Sequence, residues 1–377
     1  MRDVTDVLPG TMALLQKGRQ DGLHLGAQLY VSLRGETVAD FAVGEARAGV
    51  PMRTDTLTLW FSSGKPITAV AIAQLGESNR LSMDDRVSQF VPEFADGGKE
   101  AVTIRHLLTH TGGFREADKL PDDLEWHEMI ARICATPLET GWVPGEKAGY
   151  HLFSSWFVLG EIVRRIAGRP INQYVREMIL EPLGMNDTWL GVPRERLAEY
   201  GERMGFVYLS SGGKLTAHSP WNTEEAAVAI RPGSNARGPI RELARFYECL
   251  LATLSNRAPG RAAILRPETL ANLLSRHRVG LFDHTFRHKL DFGLGFLINS
   301  NRYGADTVPY GYGPHASEST FGHSGSQSSC AFADPEQELV VAWTCNGLPG
   351  EARHQKRARD INTAIYEDLG LMGTSSV

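Results

Sequence analysis

Residues 27–44, AQLYVSLRGETVADFAVG, alternate apolar and polar side chains on both sides of Arg34-Gly35-Glu36. A period of two puts one set on a buried face, so the stretch predicts a β-hairpin. Near the other end, FGLGFLINS (292–300) and SSCAFADPEQELVVAWTCN (328–346) carry the same signal around the turn Asp334-Pro335-Glu336-Gln337. They predict an antiparallel meander. The middle of the chain follows another period. DLEWHEMIARICATPL (123–138), SWFVLGEIVRRIAG (155–168) and IRELARFYECLLATL (240–254) read as helices broken by Pro and Gly. Two more helices are predicted over 4–19 and 352–371. The fold class expected is α+β: an antiparallel sheet flanked by terminal helices, with an inserted all-helical domain. Residues 1–60 and 285–377 supply the sheet, and residues 61–284 the mainly helical insertion. A small-molecule cleft is expected at their boundary.

Composition changes this picture little. The 377 residues are 42% hydrophobic and 22% charged, enough for a large core. A net charge of -5 makes no electrostatic case for nucleic acid or an anionic membrane. MRDVTDVLPGTMALLQKG, at the start, has no basic stretch leading into a long apolar one, so no signal peptide is expected. No run of about 18 apolar residues exists to span a membrane. Cys134, Cys249, Cys330 and Cys345 fit neither a disulfide framework nor a zinc spacing. They read as reduced thiols of a cytoplasmic protein.

The chemistry is concentrated in WFSSGKPITAVAIAQL (60–75). Read as a helix over 62–75, it repeats Ile67, Val70, Ala71, Ile72 and Leu75 on a buried face. Ser62 and Lys65 then share one face, roughly 5–6 Å apart at Cβ. Pro66 is tolerated in a first turn. Two readings stay open from spacing alone. Ser62 is a helix N-cap, or it is a nucleophile with Lys65 as its base. Burial would lower the lysine pKa toward neutrality, and the helix N-terminus offers N–H groups to an oxyanion. Ser211 and Lys214 match the same spacing, but Gly212-Gly213 between them predicts a hairpin turn. The pairs His106/His110 and His284/His288 stand four apart, yet neither has the Glu of H-E-x-x-H or an evident third ligand. No metal is expected. GHSGS (322–326) nearly matches G-x-S-x-G, but it ends in Ser326 and precedes a strand, so Ser324 is not read as a nucleophile. SSGG (210–213) is too short for a phosphate loop, and the arginines at 353–359 read as the solvated face of the last helix.

Four further stretches follow in order: TIRHLLTHTGGF (103–114), WVPGEKAGYHLFSSWFVLGEIVRRIAGR (142–169), ILEPLGMNDTWLG (179–191) and FGHSGSQSSCAFADPEQELVVAWTCNG (321–347). With 60–75 they resemble the serine β-lactamase superfamily over most of the chain. The resemblance is to its class C-like branch, which holds penicillin-binding-protein-like D-peptidases, family VIII carboxylesterases and some acyltransferases. It implies an α/β domain from both termini, a helical domain between them, and no cofactor. It implies Ser62 as the nucleophile of an acyl-enzyme and Lys65 as its base. Tyr150, in Gly149-Tyr150-His151, matches a proton-shuttling tyrosine. A phenol with an ordinary pKa near 10 acts as a base only where cations favour phenolate. Lys65 is the cation expected to do so, the two groups sharing protons.

His323-Ser324-Gly325 stands where the resemblance places Lys-Thr-Gly or His-Thr-Gly. Gly325 is expected to let substrate approach the strand, and the N–H of Ser326 to join that of Ser62 in an oxyanion hole. His151 is either a further site residue or a structural one. Two departures favour esters over β-lactams and D-peptides. Leu152 replaces an amide-holding Asn, and a neutral His323 anchors a carboxylate less well than Lys. The function implied is hydrolysis of carboxylic esters, the partner being a small-molecule ester or amide. A β-lactamase or D-amino-acid peptidase or amidase, an acyltransferase of secondary metabolism, and a non-catalytic binding member are the alternatives. The sequence leaves the oligomeric state open.

Overall fold

Residues 7–121, 124–217, 219–255 and 263–372 are described by a computed structural model. Strands β1 (Gly26–Leu33) and β2 (Glu36–Arg47) form the expected antiparallel hairpin. Arg34 and Gly35 take φ of 54° and 84°, as a two-residue turn matched to strand twist requires. A short β3 (Val50–Pro51) continues from it. The far end supplies β4 (Asp291–Phe292), β5 (Leu297–Ile298), β6 (Phe321–Gly325), β7 (Ser329–Asp334) and β8 (Leu339–Cys345). One eight-stranded antiparallel sheet results, in the order β4-β5-β6-β7-β8-β1-β2-β3. The chain ends meet at β1 and β8, in register from Ala27 opposite Cys345 to Leu33 opposite Leu339.

Five helices position the site: α1 (Pro9–Gln20), α2 (Lys65–Glu77), α3 (Ser154–Ala167), α4 (Ile240–Leu254) and α5 (Glu351–Asp368). The sheet is covered on both faces. Leu339, Val341, Trp343 and Cys345 of β8 share a core with Leu8, Met12 and Leu15 beside α5's Ile361 and Ile365. Val340 and Ala342, between them, join the other core with Leu243, Ala244 and Tyr247 of α4. Double burial explains why β8 reads as a nearly continuous apolar run. Asp368 also ties the terminal helices together. Its carboxylate accepts the Gly10 and Thr11 N–H groups and the Thr11 hydroxyl, satisfying the open N-terminus of α1.

Several boundaries differ from the sequence pattern. The helix expected at 62–75 is a 3-10 turn, Phe61–Gly64, followed by α2. The helix expected at 123–138 runs Trp126–Ala135, because Pro137 holds Thr136 extended. Residue 123 and residues 4–6 lie outside the described residues. Among the described residues, the 61–284 segment carries helices and strands of three short sheets, one of them the hairpin of Phe282–Asp283 and His288–Lys289. Another joins Thr58–Leu59, Ala236–Gly238 and Trp189–Leu190, and the third carries a hairpin of Tyr208–Ser211 and Lys214–Ala217. This last hairpin is the turn read at Ser211–Lys214. Helix α4, although within 61–284, packs on the sheet and closes its second face.

The arginines of the last helix need a correction. Arg357 is buried and donates to the carbonyls of Leu23, Gln327 and Gly347. The four cysteines are buried and form no disulfide. No helix among the described residues is long and apolar enough to cross a membrane.

Candidate active site

Ser62 is held by the junction of the 3-10 turn with strand β6. The preceding Phe61 sits at φ 49°, a left-handed conformation that bulky residues adopt only when their surroundings enforce it. The enforcing contacts are visible. Trp60 donates its indole N–H to Gly238 O at 2.9 Å, and its carbonyl accepts the Ser329 hydroxyl at 2.7 Å. Ser63 Oγ donates to His323 O at 3.2 Å and lies 2.9 Å from Ser329 Oγ. Ser62 makes no helix cap, since Gly64 holds the N-cap position of α2. The capping alternative is therefore overturned.

Lys65 is fully buried one turn on. Its Nζ lies 2.9 Å from Ser62 Oγ and 2.8 Å from each of the carbonyls Leu152 O and Gly233 O. Burial drives its pKa from 10.5 down to about 7, against the opposing pull of Asp118. A neutral amine suits this cage. With two N–H bonds given to the two carbonyls, a neutral amine would keep a lone pair for the Ser62 hydroxyl. Nζ also sits 5.1 Å from the centroid of the Tyr150 ring.

Tyr150 is buried with its phenol hydrogen-bonded to Ser62. Burial raises its pKa well above 10, helped by Asp118 and Asp283 and opposed by the Ser62 bond. The expected stabilisation of phenolate by Lys65 is thus corrected. Burial favours the protonated phenol and the neutral amine.

These groups open onto a cavity of about 480 Å³. Ser62, Tyr150, His323, Ser324 and Ser326 form its polar wall, while Leu152, Phe286, Leu290, Phe292 and Leu297 are among its apolar residues. Ser326 is exposed, just past β6 in a turn closed by Ser328 N–H to Gly325 O at 3.2 Å. As the second residue of that turn its N–H is not needed to close it. Ser62, second in a 3-10 turn, has no helical carbonyl ahead of it to bond.

A family model described as "Beta-lactamase" matches residues 12–364. The chain belongs to the beta-lactamase family. It is a serine hydrolase of that family's carboxylesterase-like kind. It is 30% identical to Esterase EstB of Burkholderia gladioli over 319 residues, 76% of this chain and 78% of the esterase. A penicillin-binding protein homologue from Caulobacter crescentus has the same fold at TM-score 0.77 and 28% identity, covering 97% of this chain and 98% of that one. A family VIII carboxylesterase structure superposes at TM-score 0.77 and 25% identity, covering 96% and 97%.

Within this family member, three further expected site residues are placed as follows. His151 is fully buried outside the cavity lining. Its Nδ1 pairs with Ser154 Oγ at 2.8 Å, and its backbone N–H donates to His110 Nδ1 at 3.0 Å. Gly325 admits protein backbone instead of substrate. A Cβ there would stand 2.1 Å from Trp60 O and 2.3 Å from Ser329 Oγ. Gly325→Ala is therefore expected to push β6 off the Ser62 turn and cost about 1–3 kcal/mol, the size of an overpacking error. Urea unfolding checks this, and an unchanged midpoint would refute the contact. Ser324 lines the cavity, but its hydroxyl donates to Tyr310 O at 3.3 Å, without a base beside it in that bond.

The residues that aim Tyr150 escaped the sequence reading. Asp283 is fully buried, and its Oδ1 accepts the N–H groups of Tyr150, Thr285 and Phe286. Its Oδ2 lies 3.0 Å from buried Arg278. Asp118 accepts the N–H groups of Leu152, Phe153 and Ser154, satisfying the start of α3 behind the Lys65 cage. His110, weighed only as a metal ligand, stacks on Tyr150 with ring centroids 4.3 Å apart, and its carbonyl accepts Gly149 N–H. His106 bonds the Thr103 N–H through Nδ1, and His284 and His288 sit on a hairpin, not a helix. No group of three or more metal-ligating side chains occurs among the described residues.

Proposed function

We propose that the protein hydrolyses carboxylic esters through an acyl-enzyme on Ser62. The Lys65 amine takes the Ser62 proton as Oγ attacks the ester carbonyl. The N–H groups of Ser62 and Ser326 receive the oxyanion, each worth on the order of 2.7–4 kcal/mol of barrier in comparable sites. The Tyr150 phenol gives its proton to the leaving alkoxide and recovers one from Lys65. Water then enters by the same route, and the free acid leaves. The observation that carries this reading is the buried Lys65 Nζ, 2.9 Å from Ser62 Oγ with its pKa near 7. The apolar wall of Phe286, Leu290 and Phe292 suits an ester's hydrocarbon chain. Leu152, 52% exposed beside the cavity, offers no amide to hold a peptide-like substrate.

The test pairs turnover with labelling. The protein is expected to hydrolyse p-nitrophenyl butyrate and to lose that activity as a fluorophosphonate probe reacts, with the adduct mapped to Ser62 by mass spectrometry. Turnover that survives full labelling, or an adduct on Ser324, would overturn the assignment.

A further inference from the structure

The cavity beside Ser62 is one-sided in charge. Among the described residues that line it, the single ionic side chain is Glu351, the first residue of α5. Its Oε2 accepts the Tyr310 hydroxyl at 2.7 Å and lies 3.5 Å from Gln355 Nε2. No Lys or Arg among the described residues forms a salt bridge with it. A second acceptor belongs to His323, which also lines the cavity. His323 Nδ1 bonds the Ser324 carbonyl at 2.8 Å, which places the ring proton there and leaves Nε2 as a lone pair. Nε2 is buried without a partner. Lys65, beside Ser62, has its amine engaged by two carbonyls and is not in the cavity lining. A substrate carboxylate would meet no fixed positive charge here and would face a carboxylate. A substrate ammonium would find a carboxylate that forms no salt bridge with a described Lys or Arg.

We propose that this site selects esters carrying a cationic group, with Glu351 as the counter-charge, and disfavours esters carrying a carboxylate. The proposal rests on the ester-hydrolase reading above. Glu351 is exposed at the cavity mouth, so water screens the contact. The expected discrimination is about three- to tenfold at low salt and smaller at 0.5 M.

Three butyrates of similar size test it: butyrylcholine, neutral 3,3-dimethylbutyl butyrate, and the butyrate ester of 3-hydroxypropionate. Acid release in a pH-stat gives kcat/KM for each. The cation should exceed the neutral ester about three- to tenfold and the anion by more. In Glu351→Gln the cation-to-neutral ratio should fall to near one. A wild-type ratio at or below one, or a ratio unmoved by Glu351→Gln, overturns the proposal while leaving the hydrolase reading intact. If none of the three turns over, p-nitrophenyl butyrate turnover decides the hydrolase reading separately. Calorimetric titration of Ser62→Ala protein then reads the charge preference directly. Phenyltrimethylammonium should bind more tightly than benzoate and lose that advantage when Glu351→Gln is added. Equal binding of the two overturns the proposal.

Discussion

Ser62→Ala and Lys65→Met are each expected to abolish p-nitrophenyl butyrate hydrolysis, by at least about 10³-fold, and the double variant is expected to be no worse than either. Nucleophile and base act as one unit, so their losses do not add. The lysine variant carries a second, opposite expectation. An unfolded lysine titrates near 10.4, and Lys65 near 7 in the folded protein. Between those values the unfolded chain binds more protons, so stability falls as pH drops from about 10.4 to about 7 and is flat below. The penalty at pH 7 is on the order of 4 kcal/mol. Met of similar volume removes it, but leaves the Leu152 and Gly233 carbonyls without their donor, at about 1–3 kcal/mol where buried. A net gain of roughly 1–2 kcal/mol is expected at pH 7. By pH 9 the advantage should shrink by about 2–3 kcal/mol, because the wild-type penalty fades. Urea unfolding at both pH values measures this. The pH profile of wild-type kcat/KM should rise through about 7 as Lys65 loses its proton. A Lys65→Met protein less stable than wild type at pH 7 would mean that the amine sits there without strain.

That opposition explains what could be read from the chain and what could not. Local periods carry the sheet: β8 is buried at every position and apolar at all but Thr344, and the run says so directly. Ser62 and Lys65 are three apart, and that spacing survives the replacement of a helical turn by a 3-10 turn. The turn itself was hidden. Phe61 is left-handed only because β6 and Ser329 hold Trp60 from more than 260 residues away. Asp118 stands in a 3-10 turn, Arg115–Lys119, and Asp283 in a two-residue strand, Phe282–Asp283, at no diagnostic spacing, so nothing local marks them. Their role appears only when Tyr150 and Leu152 arrive above their carboxylates. His110 was legible as a histidine but not as a support, since stacking on Tyr150 is a tertiary contact. Arg357 illustrates the opposite failure. Positions 354, 357, 361 and 365 share one helical face, and two of them, Ile361 and Ile365, are apolar in that spacing. Charge led the arginine to be read as solvated, although three carbonyls bury it.

Removing the charge of Asp283 should be the most damaging single change outside the Ser62–Lys65 pair. Asp283→Asn keeps the shape and the acceptor for the Tyr150 N–H, but strips the counter-ion from Arg278. That guanidinium is 2% exposed. It donates Nε to Leu290 O and Nη1 to Thr109 O, and carries a pKa already lowered by burial and held up by Asp283. Breaking a buried pair by removing one partner costs about 3–5 kcal/mol, because the remaining charge stays desolvated. Loss of stability should therefore come with loss of catalysis. Thr285 donates to Tyr150 O and is itself fixed by Asp283, so the phenol loses its placement when the loop relaxes. Two measurements separate these effects. Urea unfolding should show the destabilisation, and Asp283→Asn with Arg278→Met should restore much of it by removing the orphaned charge. Turnover should recover less than stability does, since the Met chain cannot hold the Leu290 and Thr109 carbonyls that frame the loop. Equal recovery of both would place Asp283 in the fold alone, with no share in aiming Tyr150.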